Sequence, residues 1–520
     1  MQAVFTLCRL AVMAALLAAL FSSAPAAAAI SMQAEYQQGV IAPDAEKVEL
    51  VIRFKAPSPT PSSAGRSPLA LALVIDRSGS MDAAGKLNYA KSAIINLMEQ
   101  LNDKDVVALV AYNSQVQELF SAGPMTKANR QKVLRLVEYL EADGSTFLSG
   151  GLEAGFRQME HADAPGQKRV ILLSDGIANV GETDHSRLAA LASRIRQKGV
   201  TLTAMGLGQD YDEDLMQLIA QRGGGNYYYI RRPKDADRYF ASELKGVMAG
   251  VSKDITLTFT LNDNVLDVRV YGYTVERQGN EYGLDISDFY GDEERTMVME
   301  LTVKPEAGSP ALDLGSLNLR YRSLSGEGAQ ETVVLPLRVE ISPEPERRQA
   351  SINQDAQALV LAARVDANYA KALDEAKAGN YEQAEAIVAD NKVMLEQSPL
   401  TADSELLGSK FEAMELEERR MSAMAAAPAA MQEDYIKQAR SRVYKAGQGK
   451  NNAVQMKEGS QGLEVELLQE ALNQAGFYNG PVDGIFSPEV SAAVRRFQSA
   501  KGLSADGVAG PQTQEKLGLY

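Results

Sequence analysis

The stretch Leu69–Ser80, with the sequence LALALVIDRSGS, constrains the fold of this chain more than any other. Its first seven residues, Leu69–Ile75, are all apolar. The run is too short for a packed helix and too uniformly apolar for a strand with one face in water. Such a run is typical of a central strand in a parallel sheet, which is buried on both faces. The sequence therefore predicts an α/β domain built around this strand.

The residues that end this strand carry oxygen atoms at close spacing. Asp76 is followed by Ser78 and Ser80, so that one carboxylate and two hydroxyls share a tight turn. Ligands of open α/β sheets collect at the carboxyl ends of the strands, and hard oxygen donors are the ligands that Mg²⁺ prefers. The pattern indicates a magnesium site, with Mn²⁺ or Ca²⁺ as alternative ions.

Short apolar strands alternate with amphipathic helices from residue 68 to residue 246, which favours a doubly wound, Rossmann-like α/β domain. The predicted strands are Leu69–Ile75, Val106–Tyr112, Arg169–Ser174, Val200–Leu207 and Tyr227–Ile230. Apolar residues at helical spacing predict crossover helices within Leu87–Leu101, Val133–Leu140 and Leu188–Ile195. We expect these crossovers to cover both faces of the sheet.

Two further oxygen-bearing residues belong to loops that this fold brings to the same edge. Thr146 lies in the loop DGSTFLS, and Asp175 directly follows the predicted strand RVILLS. The predicted ligand set is therefore Asp76, Ser78, Ser80, Thr146 and Asp175. Two other interpretations stay open. In one, Asp76 and the serines after it only cap a helix that follows the strand. In the other, a metal is bound but its role is purely structural.

Four motifs in this region carry a family resemblance. They are DRSGS, the GST loop, SDG at Ser174–Gly176 and GLG at Gly206–Gly208. With them, the chain from about Pro68 to Gly246 resembles the von Willebrand factor A family. The resemblance implies that the five oxygen residues form a metal-dependent adhesion site, since all five ligand positions of the family motif are filled. It also implies an open coordination position on Mg²⁺ that takes a carboxylate from a protein partner.

Segments with alternating apolar residues flank the α/β domain on both sides. Every second residue of Lys47–Lys55 is apolar, which predicts a half-buried strand, and several segments of residues 251–342 have the same period. In residues 30–67 this early strand has no partner of its own, and a Pro/Ser-rich connection follows it. We therefore expect a β-sandwich that includes the early strand, with the α/β domain inserted in it or flanked by it.

Two further regions follow the predicted sandwich. Residues 346–448 are rich in Ala, Glu, Gln, Lys and Met, which predicts a helical spacer. Residues 455–520 contain an internal echo, DGIFSPEV from Asp483 and DGVAGPQT from Asp506, and each copy is a turn that leads into a helix with proline in its first position.

This last segment resembles the small three-helix peptidoglycan-binding domain, which implies peptidoglycan as a second partner. It departs from the usual pattern at Ser487 and Val490, where glycine and threonine are more common. A domain that keeps the fold but has lost glycan binding stays an open alternative.

The first 29 residues have the composition of a secretory signal peptide, with Arg9, the apolar run Leu10–Phe21 and the small residues Ala24–Ala29. The only cysteine, Cys8, lies within it, so the mature chain has no thiol chemistry or disulfides. No later stretch is apolar enough to be an integral membrane span. We expect a secreted protein in the periplasm or cell wall. Its net charge of −15 argues against nucleic acid as a partner.

The composition also argues against an enzyme. The mature chain has no cysteine and only two histidines, His161 and His185, which excludes thiol catalysis and leaves little for a histidine zinc site. We expect a wall-tethered adhesion or scaffold protein that binds protein partners through Mg²⁺ and peptidoglycan through its last domain. The alternatives are a regulatory or assembly subunit of an envelope complex, and an accessory of a peptidoglycan hydrolase.

Overall fold

The computed structural model describes residues 29–58, 68–164, 166–279, 281–324, 329–449 and 455–519. Except for Ala29, the predicted signal peptide lies outside the described residues, as do residues 59–67 of the Pro/Ser-rich connection. Three N-terminal strands come first: β1 (Ser31–Tyr36), β2 (Val40–Ile41) and β3 (Lys47–Lys55).

A six-stranded sheet forms the centre of the α/β domain. Its strands are β4 (Ala70–Asp76), β5 (Val106–Tyr112), β6 (Val116–Pro124), β7 (Lys168–Ser174), β8 (Val200–Leu207) and β9 (Gly224–Ile230). The order across the sheet is β6-β5-β4-β7-β8-β9, and every pair is parallel except β5 with β6. The five strands predicted from sequence are confirmed, and β4 is central.

The antiparallel edge strand β6 is the one strand of this sheet that the apolar pattern does not predict. Its sequence VQELFSAGP contributes a single buried residue, Phe120. An edge strand can leave most of its side chains in solvent, so it carries no continuous apolar run by which it could be recognised.

Helices cover both faces of this sheet. The α-helices in the described part of the domain are α1 (Lys86–Gln100), α2 (Lys127–Glu138), α3 (Leu148–Glu160), α4 (His185–Gln197), α5 (Glu213–Arg222) and α6 (Ala236–Met248). Alternate residues of β4 enter different cores: Ala72 and Val74 lie in one hydrophobic cluster, Leu71 and Leu73 in the other. The uniform apolar run at β4 therefore reflects burial on both faces.

Seven strands follow the α/β domain. They are β10 (Ser252–Leu261), β11 (Val265–Val270), β12 (Glu276–Gln278), β13 (Glu281–Asp285), β14 (Glu294–Val303), β15 (Ala311–Ser323) and β16 (Gln330–Ile341). They form two sheets together with the N-terminal strands, in the orders β1-β3-β14-β11 and β12-β13-β10-β15-β16-β2. Residues from both sheets form one hydrophobic core.

The pairing of β3 with β14 joins segments that the α/β domain separates in sequence. The two strands are antiparallel, and the register runs from Lys47 opposite Thr302 to Lys55 opposite Glu294. The four-stranded sheet therefore cannot be completed before the chain has passed through the whole α/β domain.

The described residues between 345 and 447 are mainly helical, as predicted. The helices are α7 (Pro345–Ala350), α8 (Gln354–Lys377), α9 (Tyr381–Glu396), α10 (Glu405–Met424) and α11 (Ala429–Gly447). None of the helices in the described part of the chain combines the length and apolar character that a membrane crossing requires.

Helix α8 packs on the outer face of the four-stranded sheet. Its residues Ala356 and Val360 form a small hydrophobic cluster with Val51 of β3 and Val298 of β14. Val51 is fully buried, although the alternation in Lys47–Lys55 predicts that it faces water. The strand is therefore buried on both faces at its centre, because a helix covers the face that the sequence pattern assigns to solvent.

Helix α11 packs against the edge of the α/β sheet. The Tyr229 hydroxyl donates to Asp434 Oδ1 at 2.7 Å, and Lys437 Nζ donates to the carbonyl oxygen of Tyr211 at 2.9 Å. Arg440 forms an ion pair with Asp214 of α5. The helical region therefore contacts both the α/β domain and the four-stranded sheet.

The last described segment contains α12 (Leu463–Gln474), α13 (Pro488–Ala500) and α14 (Pro511–Lys516) around a hydrophobic core of its own. A buried glutamine holds each copy of its internal echo. Gln469 Nε2 donates to Asp483 Oδ1 at 2.8 Å and to Ile485 O at 3.1 Å, and its Oε1 accepts from Gly484 N at 2.9 Å. Gln498 makes the equivalent three hydrogen bonds, with Asp506, Val508 and Gly507. The sequence echo is thus a repeated hydrogen-bonding unit.

Replacement of Gln469 by alanine should loosen this unit. The change removes three hydrogen bonds and leaves a buried backbone amide unpaired, at a cost of about 2–4 kcal/mol. Hydrogen–deuterium exchange on the full chain should show faster exchange across residues 463–500. Gln474→Ala, at an exposed position of the same helix, is the control. Equal protection in the two variants would contradict the assigned role of Gln469.

A buried charge network joins the α/β domain to the two-sheet region. Arg169 of β7 forms an ion pair with Glu243 of α6, and its Nη2 lies 2.9 Å from Asp288 Oδ2. All three side chains are almost fully buried. Burial acts to raise the pKa of Glu243, but Arg169 and the hydrogen bond from Thr203 outweigh it and hold that pKa below its usual value. The network therefore favours ionised Glu243.

Neutralising Glu243 should weaken this junction. Glu243→Gln leaves the buried Arg169 with one ionised partner fewer, which we expect to lower the free energy of unfolding by about 3 kcal/mol. Because its folded-state pKa is lowered, Glu243 stabilises the protein above its ordinary pKa of 4.5, and this contribution is lost as the pH falls through the folded-state value.

Thermal unfolding from pH 7 to pH 3 measures both effects. The exposed Glu153→Gln is the control, and it should follow the wild-type pH dependence. A Glu243→Gln variant that is as stable as the wild type at pH 7 would show that the charge of Glu243 contributes nothing to stability.

Candidate metal centre

Three loops meet at the carboxyl edge of the α/β sheet. They comprise residues 76–80 after β4, residues 143–147 before α3, and residues 175–180 after β7. Gly79 N donates to Gly144 O at 2.9 Å, which joins the first loop to the second. Thr146 N donates to Asn179 Oδ1 at 2.8 Å, which joins the second to the third. Hydrogen bonds thus fix the three loops relative to one another.

Hydroxyl and carboxylate oxygens of the predicted ligand set contact one another in this space. Ser78 Oγ lies 3.1 Å from Ser80 Oγ, and Ser80 Oγ donates to Asp175 Oδ1 at 2.7 Å. Asp76 Oδ1 accepts a hydrogen bond from Ser78 N at 2.8 Å. Four of the five predicted residues are therefore linked directly.

Gly176 shows where Thr146 lies relative to the serines. A Cβ atom at Gly176 would be 3.1 Å from Thr146 Oγ1, 3.5 Å from Ser80 Oγ and 3.9 Å from Ser78 Oγ. One point beside the backbone is thus within reach of three hydroxyl oxygens, and the absence of a side chain at Gly176 keeps that point open. Three hydroxyls therefore line one small space, and Asp175 adjoins it through its hydrogen bond with Ser80.

Asp76 is the less compensated of the two carboxylates. It is fully buried, and no ion pair found among the described residues involves it. Burial raises the pKa of Asp76 to about 6, against the hydrogen bonds donated by Ser174 and Ser78, which lower it. A cation in the space between the loops would stabilise the ionised carboxylate.

The donor set fits a hard divalent cation. In the described part of the chain, no group of three or more His, Cys, Asp or Glu side chains is placed to hold a metal ion. The oxygens here come instead from two aspartates and three hydroxyl residues. Such a set suits Mg²⁺, Mn²⁺ or Ca²⁺ and lacks the nitrogen and sulfur ligands that zinc prefers.

Sequence reasoning did not assign the residues that hold the candidate ligands in place. Ser174 Oγ donates to Asp76 Oδ2 at 2.7 Å, and Asn113 Nδ2 donates to the carbonyl oxygen of Asp143 at 2.9 Å. Lys86 Nζ donates to Asp175 Oδ2 at 2.7 Å. Ser174 and Asn179 were visible as polar residues within and after the SDG motif, whereas no local signal distinguishes Lys86 from a surface lysine.

Residues 70–240 match the family model of the von Willebrand factor type A domain. This chain contains a von Willebrand factor type A (VWA) domain. All five predicted ligand residues lie inside the matched range. A second family model, described as a putative peptidoglycan binding domain, matches residues 461–517 and includes both buried glutamines of the echo.

Three curated relatives each match between 41% and 53% of this chain. It is 29% identical over 247 residues to the uncharacterized protein YfbK of Escherichia coli, covering 46% of this chain and 42% of that protein. It is 25% identical over 289 residues to the uncharacterized protein sll0103 of Synechocystis, covering 53% of this chain and 67% of that protein.

A third relative is the inter-alpha-trypsin inhibitor heavy chain H1 of Mesocricetus auratus, which is 27% identical over 218 residues, covering 41% of this chain and 24% of the relative. The chain therefore spans less than half the length of the first and third of these relatives.

Solved structures share the fold over more than the VWA domain. A von Willebrand factor type A protein from Catenulispora acidiphila superposes with a TM-score of 0.57 at 18% identity, covering 72% of this chain and 88% of that one. The ArnB paralog VWA2 from Sulfolobus acidocaldarius gives a TM-score of 0.53 at 18% identity, covering 80% of this chain and 98% of that one. At this identity the similarity establishes the fold alone.

Gly176→Ala should obstruct the candidate metal centre and leave the VWA fold intact. The new methyl group would lie 3.1 Å from Thr146 Oγ1, in the space that a cation would need. We expect Mg²⁺ or Mn²⁺ affinity to fall by about tenfold or more, since octahedral Mg²⁺ tolerates little distortion of its ligands. Isothermal titration calorimetry with Mg²⁺, and paramagnetic resonance with Mn²⁺, measure the change.

The matched control is Gly283→Ala, in β13, where a Cβ atom meets only an ordinary contact at 3.9 Å. Both variants should retain the wild-type thermal unfolding temperature within a few degrees, as expected for substitutions that cost about 1 kcal/mol or less. Unchanged cation affinity in Gly176→Ala would show that the ion, if bound, lies elsewhere.

Proposed function

We propose that this protein is an exported adhesion or scaffold protein, tethered to the cell wall, that binds a protein partner through a divalent cation. The cation, Mg²⁺ with Mn²⁺ or Ca²⁺ as alternatives, would be held by Asp76, Ser78, Ser80, Thr146 and Asp175. The oxygen-lined space between three hydrogen-bonded loops is the observation that carries the proposal. The peptidoglycan-binding domain at residues 461–517 supports the tether.

The donor set also indicates the chemistry of the partner. Three hydroxyls contribute no charge, so an Mg²⁺ ion held here would keep the electrophilic character needed to bind a carboxylate from another protein. Ile177 follows Gly176 at the rim of the site, and 61% of its surface is exposed. An apolar side chain beside the ion would contact the residues that flank the partner's carboxylate.

The finer architecture belongs to the same proposal. Residues 1–29 would be a signal peptide that directs the chain to the periplasm or cell wall. The two sheets that share one core would be a single β-sandwich, with the VWA domain inserted after β3. The helices α12–α14 would form a three-helix unit that binds peptidoglycan. No residue is assigned a catalytic role.

A second candidate function is a regulatory or assembly subunit of an envelope complex. It is favoured by the ion pairs through which the last domain docks on its neighbours. Glu470 of α12 pairs with Arg238 of α6, and Lys445 of α11 lies 2.6 Å from Glu464. A docked arrangement would hold the two binding domains at a fixed separation, as an assembly subunit requires.

The two binding activities should separate by mutation. The mature chain should pellet with purified sacculi, and removal of residues 455–520 should abolish pelleting, whereas Asp76→Ala should pellet as the wild type does. From envelope extract, the wild type should retain specific proteins in Mg²⁺ but not in EDTA, and Asp76→Ala should retain none of them.

Because Asp76 is buried, the exposed Ser80→Ala provides a second, milder variant of the metal site. Equal pelleting with and without residues 455–520 would remove the wall tether from the proposal. Identical captured proteins in Mg²⁺, in EDTA and with both variants would remove the metal-dependent partner.

A further inference from the structure

A buried lysine contacts one of the five candidate ligands. Lys86 is the first residue of α1, and only 5% of it is exposed. Its Nζ donates to Asp175 Oδ2 at 2.7 Å, while Asp175 Oδ1 accepts from Ser80 at 2.7 Å. One oxygen of this candidate ligand therefore faces the hydroxyl cluster, and the other is held by an ammonium group of the protein itself.

The same ammonium group has a second carboxylate within reach. Lys86 Nζ lies 3.3 Å from Asp210 Oδ2, and the Asp210 side chain is 75% exposed. Lys86 thus bridges one fully buried carboxylate at the candidate site and one solvated carboxylate outside it. A small shift of Nζ would exchange the first partner for the second.

Neighbouring residues fix the geometry of this bridge. A Cβ atom at Gly208 would lie 2.9 Å from Lys86 Cε, so the absence of a side chain there provides the room for the lysine. On the other side of Asp210, Lys437 of α11 donates hydrogen bonds to the carbonyl oxygens of Gln209 and Tyr211. The helical region therefore holds the loop that presents Asp210 to Lys86.

A cation held by Asp76, Asp175 and the hydroxyls would share Asp175 with this ammonium group. Two cations on one carboxylate repel each other, and the repulsion is strong where burial limits screening by water. We propose that Lys86 is an internal counter-ion of the metal site, which competes with the divalent cation for Asp175 and moves toward Asp210 when the cation binds. This inference rests on the proposed metal-dependent function.

Competition of this kind would regulate how much of the protein carries metal. Without the cation, Lys86 compensates the charge of Asp175. With it, part of the binding energy is spent on displacing the ammonium group, so the affinity is lower than five oxygen ligands would otherwise provide. The fraction loaded would then follow the Mg²⁺ concentration around the protein.

Cation titrations of the full chain test this competition. Lys86→Met should bind Mg²⁺ and Mn²⁺ about tenfold more tightly or better, because the competing charge is removed while the length of the side chain is kept. Lys91→Met, in the same helix with its Nζ on the carbonyl oxygen of Glu138, is the control and should bind as the wild type does. Affinities come from calorimetry with Mg²⁺ and paramagnetic resonance with Mn²⁺.

Asp210→Asn provides an independent measurement, since this exposed residue can be changed without loss of the fold. It should weaken cation binding about threefold or more in the wild-type background, where Lys86 loses its second partner. In the Lys86→Met background the same change should have little effect. This non-additivity distinguishes a displaced lysine from a simple loss of negative charge near the ion.

The outcomes separate this inference from the proposed function. Unchanged or weaker cation binding in Lys86→Met, with wild-type binding intact, would overturn the inference alone, and so would additive effects of the two substitutions. Binding in Lys86→Met but not in the wild type would support the competition and overturn a metal-dependent function of the wild type. No binding in either protein would overturn both.

Discussion

The in-register parallel pairing of β4 with its two neighbours is the constraint on which the candidate site depends. Asp76 lies opposite Tyr112 of β5, and Ile75 lies opposite Leu173 of β7. The loops after Asp76 and after Ser174 therefore leave the sheet side by side. A slip of one residue would turn every side chain of β4 to the opposite face, so the two hydrophobic cores fix the register and with it the position of the oxygen atoms.

Around the site, hydrogen bonds replace apolar packing as the source of rigidity. The buried Ser174 and the more exposed Asn179 each have a specific hydrogen-bond partner, and such satisfied networks fix one arrangement of a loop. The charges are unevenly compensated, because Lys86 pairs with Asp175 and no described cation pairs with Asp76. The proposed cation site and its proposed competition with Lys86 both rest on this uneven compensation.

Local sequence patterns predicted the strands and the site residues that have a recognisable pattern in the residues next to them. The buried strands are continuous apolar runs, and the five oxygen residues follow strands or precede a helix in short motifs. The edge strand β6, the buried glutamines Gln469 and Gln498 and the lysine Lys86 were not predicted. In the sequence, each of them looks like an ordinary polar residue or segment. Its role comes from a contact with residues that lie elsewhere in the chain.

The sequence by itself therefore determined the central strand, the oxygen donors at its end and the repeated turn of the last domain, because these depend on residues close together in the chain. Only the tertiary structure decided which strand pairs with β3, namely β14. It also decided that Arg169 lies buried between Glu243 and Asp288, and that α8 covers Val51. These contacts join segments far apart in sequence, and their free energy depends on which surfaces remain uncovered once the domains have formed.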